Sequence, residues 1–243
     1  LATSYLYYKK FLSITELTPN IMAGHSLGEY SALVASGSID FKTALNLVYK
    51  RGLFMEKSDA GSMFAILNLD IETIYSICDE VRDTLDQIVA PANINSANQV
   101  VIAGSHEAAA LAAEKCKVAG AKRTIQLKVS VASHCNLMQS ASILLSEEMK
   151  NIKFNNPAIP IIHNVNALES NNNDDDIAQK LTDQLIKPVQ WLKTMEKINM
   201  LDGIVVECGP GRVLSGLAKT NGLSNILTMS SDNFKEDFNN IYG

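Results

Sequence analysis

The spacing of apolar residues predicts short strands alternating with helices. Residues 1–11 read as helical. A link containing Pro19 leads to the apolar run Ile21, Met22 and Ala23, expected to be a short strand. Leu27, Leu33 and Val34 then recur at helical spacing as far as Gly37, a helix stop, and Ala44, Leu45, Leu47 and Val48 predict a further helix. From residue 61 the pattern tightens. Residues 62–67 read as a strand, and 71–81 as a helix with Ile71, Ile74, Ile77 and Cys78 on one face. Residues 88–94 and 99–103 read as strands, 107–118 as an Ala-rich helix ending near Gly120, and 123–129 as a strand alternating Ile125, Leu127 and Val129. That order, β-α-β-β-α-β, is the split βαβ, ferredoxin-like arrangement. Its place in mid-chain predicts a small inserted domain at 61–131, with 1–60 and 132–243 forming one larger α/β domain.

In the second flank, 159–165 reads as a buried strand. The polar run 171–176 reads as an exposed loop whose aspartates lead into a helix N-terminus rather than bind a metal. Pro188 is placed to open a helix carrying Val189, Leu192, Met195 and Ile198 on one face, with Trp191 packing. A strand at 204–206, the turn Gly209-Pro210-Gly211, a helix at 212–219 and a strand at 226–229 follow, and the tail beyond residue 231 is polar and without pattern. The Gly209-Pro210-Gly211 turn, with Asp232 downstream, imitates a dinucleotide-binding fingerprint, but Leu214 stands where the third glycine should be.

Composition narrows the class. The 243 residues are 47% hydrophobic and 19% charged, with a net charge of −5, which does not favour nucleic acid or a membrane surface. No apolar run approaches the ~20 residues of a membrane helix, and no signal-peptide pattern opens the sequence. Its four cysteines, Cys78, Cys116, Cys135 and Cys208, are scattered. They predict a reducing, cytoplasmic location and no zinc site. Because the sequence starts at Leu1, it is expected to be part of a longer protein.

Candidate chemistry centres on Gly24-His25-Ser26-Leu27-Gly28-Glu29. Between a short strand and a helix, these residues read as a nucleophile elbow. Glycines on either side of Ser26 would let the turn close, the hydroxyl would project outward, and the Leu27 N–H would face a developing oxyanion. An ordinary Gly-rich turn reads the same way in isolation. Serine needs a base, and there are four histidines. The His25 ring is expected to point away from the serine, His106 to lie on the surface of the small domain, and His163 to lie in a strand. His134 falls where the small domain ends and the larger one resumes, a seam where clefts form. Arg51, after the helix of Ala44, Leu45, Leu47 and Val48, is either a surface arginine or a fork for a substrate carboxylate.

Several separated motifs carry a resemblance running in order to about residue 220. They are Gly24–Leu33, Arg51-Gly52 with Met55, Asn93-Ile94-Asn95-Ser96 with Gln99–Gly104, Ser133-His134 with Leu137-Met138, and Glu207–Gly211 with Leu214. In these the chain resembles the malonyl-CoA:acyl carrier protein transacylases of bacterial type II fatty acid synthesis. Polyketide acyltransferases are a related alternative, and a serine esterase or thioesterase would use the same dyad. The resemblance implies an α/β-hydrolase-like larger domain with a ferredoxin-like insert. It also implies ping-pong transfer of malonyl from coenzyme A to the phosphopantetheine thiol of acyl carrier protein, by a monomer without cofactor or metal. Ser26 would be the nucleophile, His134 the base and Leu27 an oxyanion donor. The main-chain carbonyl of Gln184 would orient the base, and Arg51 would pair with the malonyl carboxylate, with His25, Met55 and Asn95 also on the substrate side. An acidic carrier calls for a basic surface, for which Lys122, Arg123, Lys187 and Arg212 are candidates. The family's N-terminal Gly-Gln-Gly-Ser-Gln motif, whose glutamine helps form the oxyanion hole, has no counterpart, so the N-terminal part of the fold is expected to be missing. Ser133 stands where many malonyl-selective polyketide domains carry Phe.

Overall fold

The computed structural model of the protein describes residues 1–170 and 177–242. It is an α/β structure. Helix α1 (Ala2–Thr15) leads to strand β1 (Met22–Ala23), and helices α2 (Leu27–Ala35) and α3 (Phe41–Glu56) follow. Next come β2 (Ser62–Leu67), α4 (Ile71–Leu85), β3 (Val89–Ser96), β4 (Gln99–Gly104), α5 (His106–Val118) and β5 (Arg123–Gln126). The rest of the chain forms α6 (Gln139–Met149), β6 (Ile161–Ile162), α7 (Ile177–Gln184), α8 (Trp191–Asn199), β7 (Val205–Glu207), α9 (Val213–Thr220), β8 (Ile226–Thr228) and α10 (Phe234–Tyr242).

In mid-chain, the four strands β2 to β5 form an antiparallel sheet in the order β3-β4-β2-β5. Side chains alternate across it with the period of two that a pleated strand imposes. Ile66, Val100 and Ile102 face α4 and α5, where Ile74, Cys78, Val81, Ala109 and Ala112 complete a core. Met63, Ala65, Val101 and Ala103 face the other way, into the main core with Leu33, Leu47, Leu145 and Leu181. This sheet is therefore covered on both faces, which explains why its strands read as nearly continuous apolar runs.

Elsewhere the strands are short. β1 pairs in parallel with β6, and β7 in parallel with β8; among the described residues these two pairs are not hydrogen-bonded to each other. Three boundaries depart from the sequence reading for visible reasons. Helix α8 starts at Trp191 rather than Pro188, because Val189 is extended: its N–H donates to Ala92 O at 2.9 Å and its carbonyl accepts from Ile94 N at 2.9 Å. Strand β5 stops at Gln126, because a tight turn (Val129 N to Leu127 O, 3.1 Å) follows the last bond to β2. Only Ile161 and Ile162 of the 159–165 run are strand, and the chain turns at His163. The tail is not patternless. Phe234, Phe238 and Tyr242 repeat along one face of α10 and stack on one another at 5.8 and 5.2 Å, with Phe11 of α1 edge-on to the first two. The polar run at 171–176 lies outside the described residues.

Candidate active site

The elbow is set by one glycine. A Cβ on Gly24 would lie 2.0 Å from the backbone carbon of Gly28 and 2.4 Å from Glu29 N, so only glycine lets β1 pass against the first turn of α2. Gly28 has no such role, since a Cβ there would meet nothing within 4 Å, which corrects the expectation that both glycines close the turn. Ser26 itself sits at φ 52, ψ −111, a strained conformation for an L-residue. As the first helical residue, Leu27 presents an N–H that has no acceptor within its own helix.

His134 is brought to Ser26 by the loop after β5. Its Nε2 lies 2.9 Å from Ser26 Oγ, and its Nδ1 lies 2.5 Å from the carbonyl oxygen of Gln184 at the C-terminal end of α7. A carbonyl can only accept, so Nδ1 carries the proton, and the Nε2 lone pair takes the serine O–H. The imidazole is buried, and its pKa is pushed down to about 3. Burial is the main cause, and the Arg51 charge adds to it, with the Gln184 carbonyl pulling the other way. The ring is therefore neutral at physiological pH.

Arg51, on α3, is 5% exposed. Its Nη2 donates to Ser26 Oγ at 3.2 Å and to Gln184 Oε1 at 3.2 Å, and its guanidinium lies 5.6 Å above the Tyr30 ring. Its Nε is buried without a hydrogen-bond partner among the described residues. A buried guanidinium with spare donors beside a serine hydroxyl suits an incoming carboxylate. Met55, one turn further along α3, packs in the main core. His25 and Asn95 hold each other: His25 Nε2 is 2.9 Å from Asn95 Oδ1, and the His25 ring stands edge-on to Trp191 at 5.1 Å. Burial lowers the His25 pKa.

Three further residues complete the site, and the sequence assigns none of them a role there, although Glu29 closes the elbow motif. Asn164, fully buried just after β6, donates from Nδ2 to Gly24 O at 2.7 Å and accepts the Ser26 N–H at Oδ1, also at 2.7 Å. Glu29 accepts from Gln184 Nε2 at 2.7 Å and from Asn164 N at 3.2 Å, and faces His163 Nδ1 at 2.6 Å. The available signal was physical: a carboxylate inside an apolar helix, and a His-Asn pair ending an apolar run, both need buried partners.

Other candidates fall elsewhere. His106 is exposed on the small unit, 2.8 Å from Ser62 Oγ. The Gly209-Pro210-Gly211 turn cannot cradle a phosphate at the start of α9. Glu207 already fills that position, accepting from Leu214 N at 3.1 Å, Ser215 N at 2.8 Å and Ser215 Oγ at 2.5 Å. Lys122 and Arg123 lie at the β5 edge of the four-stranded sheet, and Lys187 lies two residues from Val189 at the β3 edge. Three inter-strand spacings, ~14 Å, separate those edges. Lys187 is paired with Asp183 at 2.7 Å. All four cysteines are free thiols. Among the described residues no group of metal-ligating side chains comes together, and no helix is long and apolar enough to cross a membrane.

Known proteins resemble this chain in sequence and in fold. The malonyl CoA-acyl carrier protein transacylase of Escherichia coli (strain K12) is 47% identical over 206 residues, covering 83% of this chain and 65% of that protein. The protein of the same name from Bacillus subtilis (strain 168) is 40% identical over 224 residues, 90% of this chain and 69% of its own length. Among solved structures, the Coxiella burnetii malonyl CoA-acyl carrier protein transacylase superposes with a TM-score of 0.90 at 38% identity, over 98% of this chain and 75% of that one. A malonyl-transacylase solved in complex with its type II PKS acyl-carrier protein gives 0.91 at 40% identity, over 98% and 78%. The chain thus spans about 65% of the length of the Escherichia coli relative. The acyl transferase domain family matches residues 10–222, and on that match and these identities the chain belongs to the acyl transferase domain family.

Proposed function

We propose that this chain transfers a malonyl group from malonyl-CoA to the phosphopantetheine thiol of acyl carrier protein through a malonyl-Ser26 intermediate. The observation that carries this reading is the line of contacts from the Gln184 carbonyl through His134 to Ser26 Oγ, with Arg51 Nη2 3.2 Å from that same oxygen. Ser26 Oγ attacks the thioester carbon as its proton passes to His134 Nε2, and the Leu27 N–H meets the oxyanion. The C–S bond breaks, and the coenzyme A thiolate takes the proton from His134. The carrier's thiol then gives its proton to His134 and attacks the ester, which returns Ser26 Oγ–H. The Gln184 carbonyl holds the histidine in the tautomer these steps need.

Selectivity follows from charge. The malonyl carboxylate pairs with Arg51, whereas an acetyl group brings that buried guanidinium no counter-charge. His25, Asn95 and Met55 border the acyl site. The unit at 61–131 is read as a ferredoxin-like small domain within a larger α/β-hydrolase-like domain built from 1–60 and 132–243. The strand order β3-β4-β2-β5 and the elbow support that division. The dyad, its orienting carbonyl and Arg51 come from a single chain, which supports action as a monomer. The free thiols support a reducing, cytoplasmic location. The chemistry draws on side chains together with the Leu27 N–H and the Gln184 carbonyl, and calls for no cofactor.

The test is intact-protein mass spectrometry after mixing with malonyl-CoA or acetyl-CoA. A malonyl increment lost in Ser26→Ala, with acetyl loading weak in the wild type and relatively improved in Arg51→Ala, is expected. Hydrolysis of the thioester to free malonate without transfer to a carrier thiol would establish a thioesterase instead.

A further inference from the structure

We infer that Glu29 and Asn164 are positioning residues for acyl transfer, holding the nucleophile's backbone and the carbonyl that orients the base in one frame. The inference rests on the Ser26–His134 chemistry proposed above. Ser26 adopts φ 52, ψ −111, which it does not hold unaided. Asn164 fixes the backbone that leads into that residue, taking the Ser26 N–H and donating to Gly24 O, each at 2.7 Å. Glu29 stands one turn into the elbow helix. Its carboxylate receives Gln184 Nε2 at 2.7 Å and Asn164 N at 3.2 Å, and Gln184 Nε2 also lies 3.1 Å from Ser26 O. One carboxylate thus ties together α2, the end of β6 and the C-terminal end of α7, whose last carbonyl fixes His134.

Neither Glu29 nor Asn164 touches Ser26 Oγ or Arg51, although Gln184, which Glu29 holds through Nε2, also accepts from Arg51 Nη2 at 3.2 Å. Loss of Asn164 should therefore slow the chemical step while leaving substrate affinity and acyl selectivity in place, whereas loss of Glu29 should slow that step and can also shift Arg51 through Gln184. The geometry further specifies what Glu29 supplies, which is acceptor atoms rather than charge. The second oxygen faces His163 Nδ1 at 2.6 Å, and His163 Nε2 faces Ser170 Oγ at 2.8 Å. A hydroxyl can donate or accept, so His163 can take either tautomer. A glutamine at position 29 could keep its oxygen toward Gln184 and Asn164 and donate its amide to Nδ1, leaving nothing unpaired. Alanine at position 29 takes away the acceptor of Asn164 N–H and the partner of His163 Nδ1, and leaves Gln184 Nε2 held by Ser26 O at 3.1 Å.

The experiment measures the second-order rate at which a fluorophosphonate labels Ser26, beside steady-state malonyl transfer. Asn164→Ala and Glu29→Ala should label roughly 10- to 100-fold more slowly. Glu29→Gln should recover most of that loss, and in Asn164→Ala the KM for malonyl-CoA and the malonyl-to-acetyl ratio should stay put. If Asn164→Ala labels at the wild-type rate, Glu29→Gln falls as far as Glu29→Ala, or KM rises in Asn164→Ala in place of a fall in kcat, the inference is overturned. Should the alanine variants not fold, Asn164→Asp decides. It keeps the acceptor for Ser26 N–H, sets an oxygen against Gly24 O, and must still slow labelling. Normal fluorophosphonate labelling with no malonyl adduct would remove the malonyl assignment and leave this inference to the labelling rates.

Discussion

Removing the Arg51 charge should make His134 a stronger base. Arg51 Nη2 is 3.2 Å from Ser26 Oγ, which is 2.9 Å from His134 Nε2. The charged nitrogen is therefore no more than about 6 Å from the base, a separation worth roughly 3 kcal/mol at an effective dielectric of ~20, or about 2 pK units. The charge is spread over the guanidinium, so a rise of about 1–2 units is expected in Arg51→Ala. Burial, the larger cause of the depression from the ordinary value to about 3, remains in place. The neutral imidazole is the active form, so activity is lost as pH falls through this pKa. Raising the pKa moves the acid limb to higher pH.

The assay is single-turnover acylation of Ser26 by acetyl-CoA, which brings no carboxylate to Arg51, followed by quenched-flow mass spectrometry from about pH 2.5 to 8, so that the wild-type limb falls within the range. The acid limb of Arg51→Ala should lie about 1–2 units above that of the wild type. Malonyl-CoA supplies a compensating negative charge, so wild-type malonylation should show a limb displaced in the same direction relative to wild-type acetylation. A limb that stays in place or moves to lower pH would refute the electrostatic coupling, even if Arg51 proved essential for selectivity.

Other expectations follow from single positions. Gly24→Ala should abolish folding or soluble yield, since its Cβ would overlap the Gly28 backbone, whereas Gly28→Ala should be neutral or stabilise the fold in a thermal melt by up to ~1 kcal/mol of helix propensity. Glu207→Ala should cost about 2 kcal/mol in a denaturant titration, because its carboxylate accepts from two α9 backbone amides and the Ser215 hydroxyl. Burial lowers the pKa of both His134 and His25 in the folded state, so the unfolded chain binds protons first. Stability should decline as pH falls below ~6.5 toward the folded value, by an amount on the order of a few kcal/mol. His134→Gln should flatten part of that decline in a melting series, and an unchanged slope would count against a buried neutral imidazole.

How much was legible depends on how local each constraint is. The elbow is written within six adjacent residues, because a strand-to-helix turn around a serine constrains its immediate neighbours. The sheet of the small unit was legible because apolar residues repeat within each strand. Glu29, His163 and Asn164 were not, since their roles exist only where residues 135 positions apart meet. The start of α8 was misplaced for a similar reason. Pro188 is a sound local helix signal, but Val189 has a stronger tertiary commitment to β3. The aromatic face of α10 was readable at a spacing of four and was masked by the polar residues between its rings.

The same Val189 contact bears on how separable the small unit is. The segment 184–189 is fixed at one end by the His134 and Glu29 contacts to Gln184, and at the other by two backbone bonds to β3. Leu185 between them is fully buried in the main core, and that core continues into Met63, Ala65, Val101 and Ala103 on the back of the small sheet. A displacement of the small sheet would therefore pull on the residue whose carbonyl aims the base, and would open an apolar interface to water at the same time. In packing, the sheet of β2 to β5 forms one wall of the main core. Its removal would take the support from the Gln184 carbonyl even though the unit itself supplies neither nucleophile nor base.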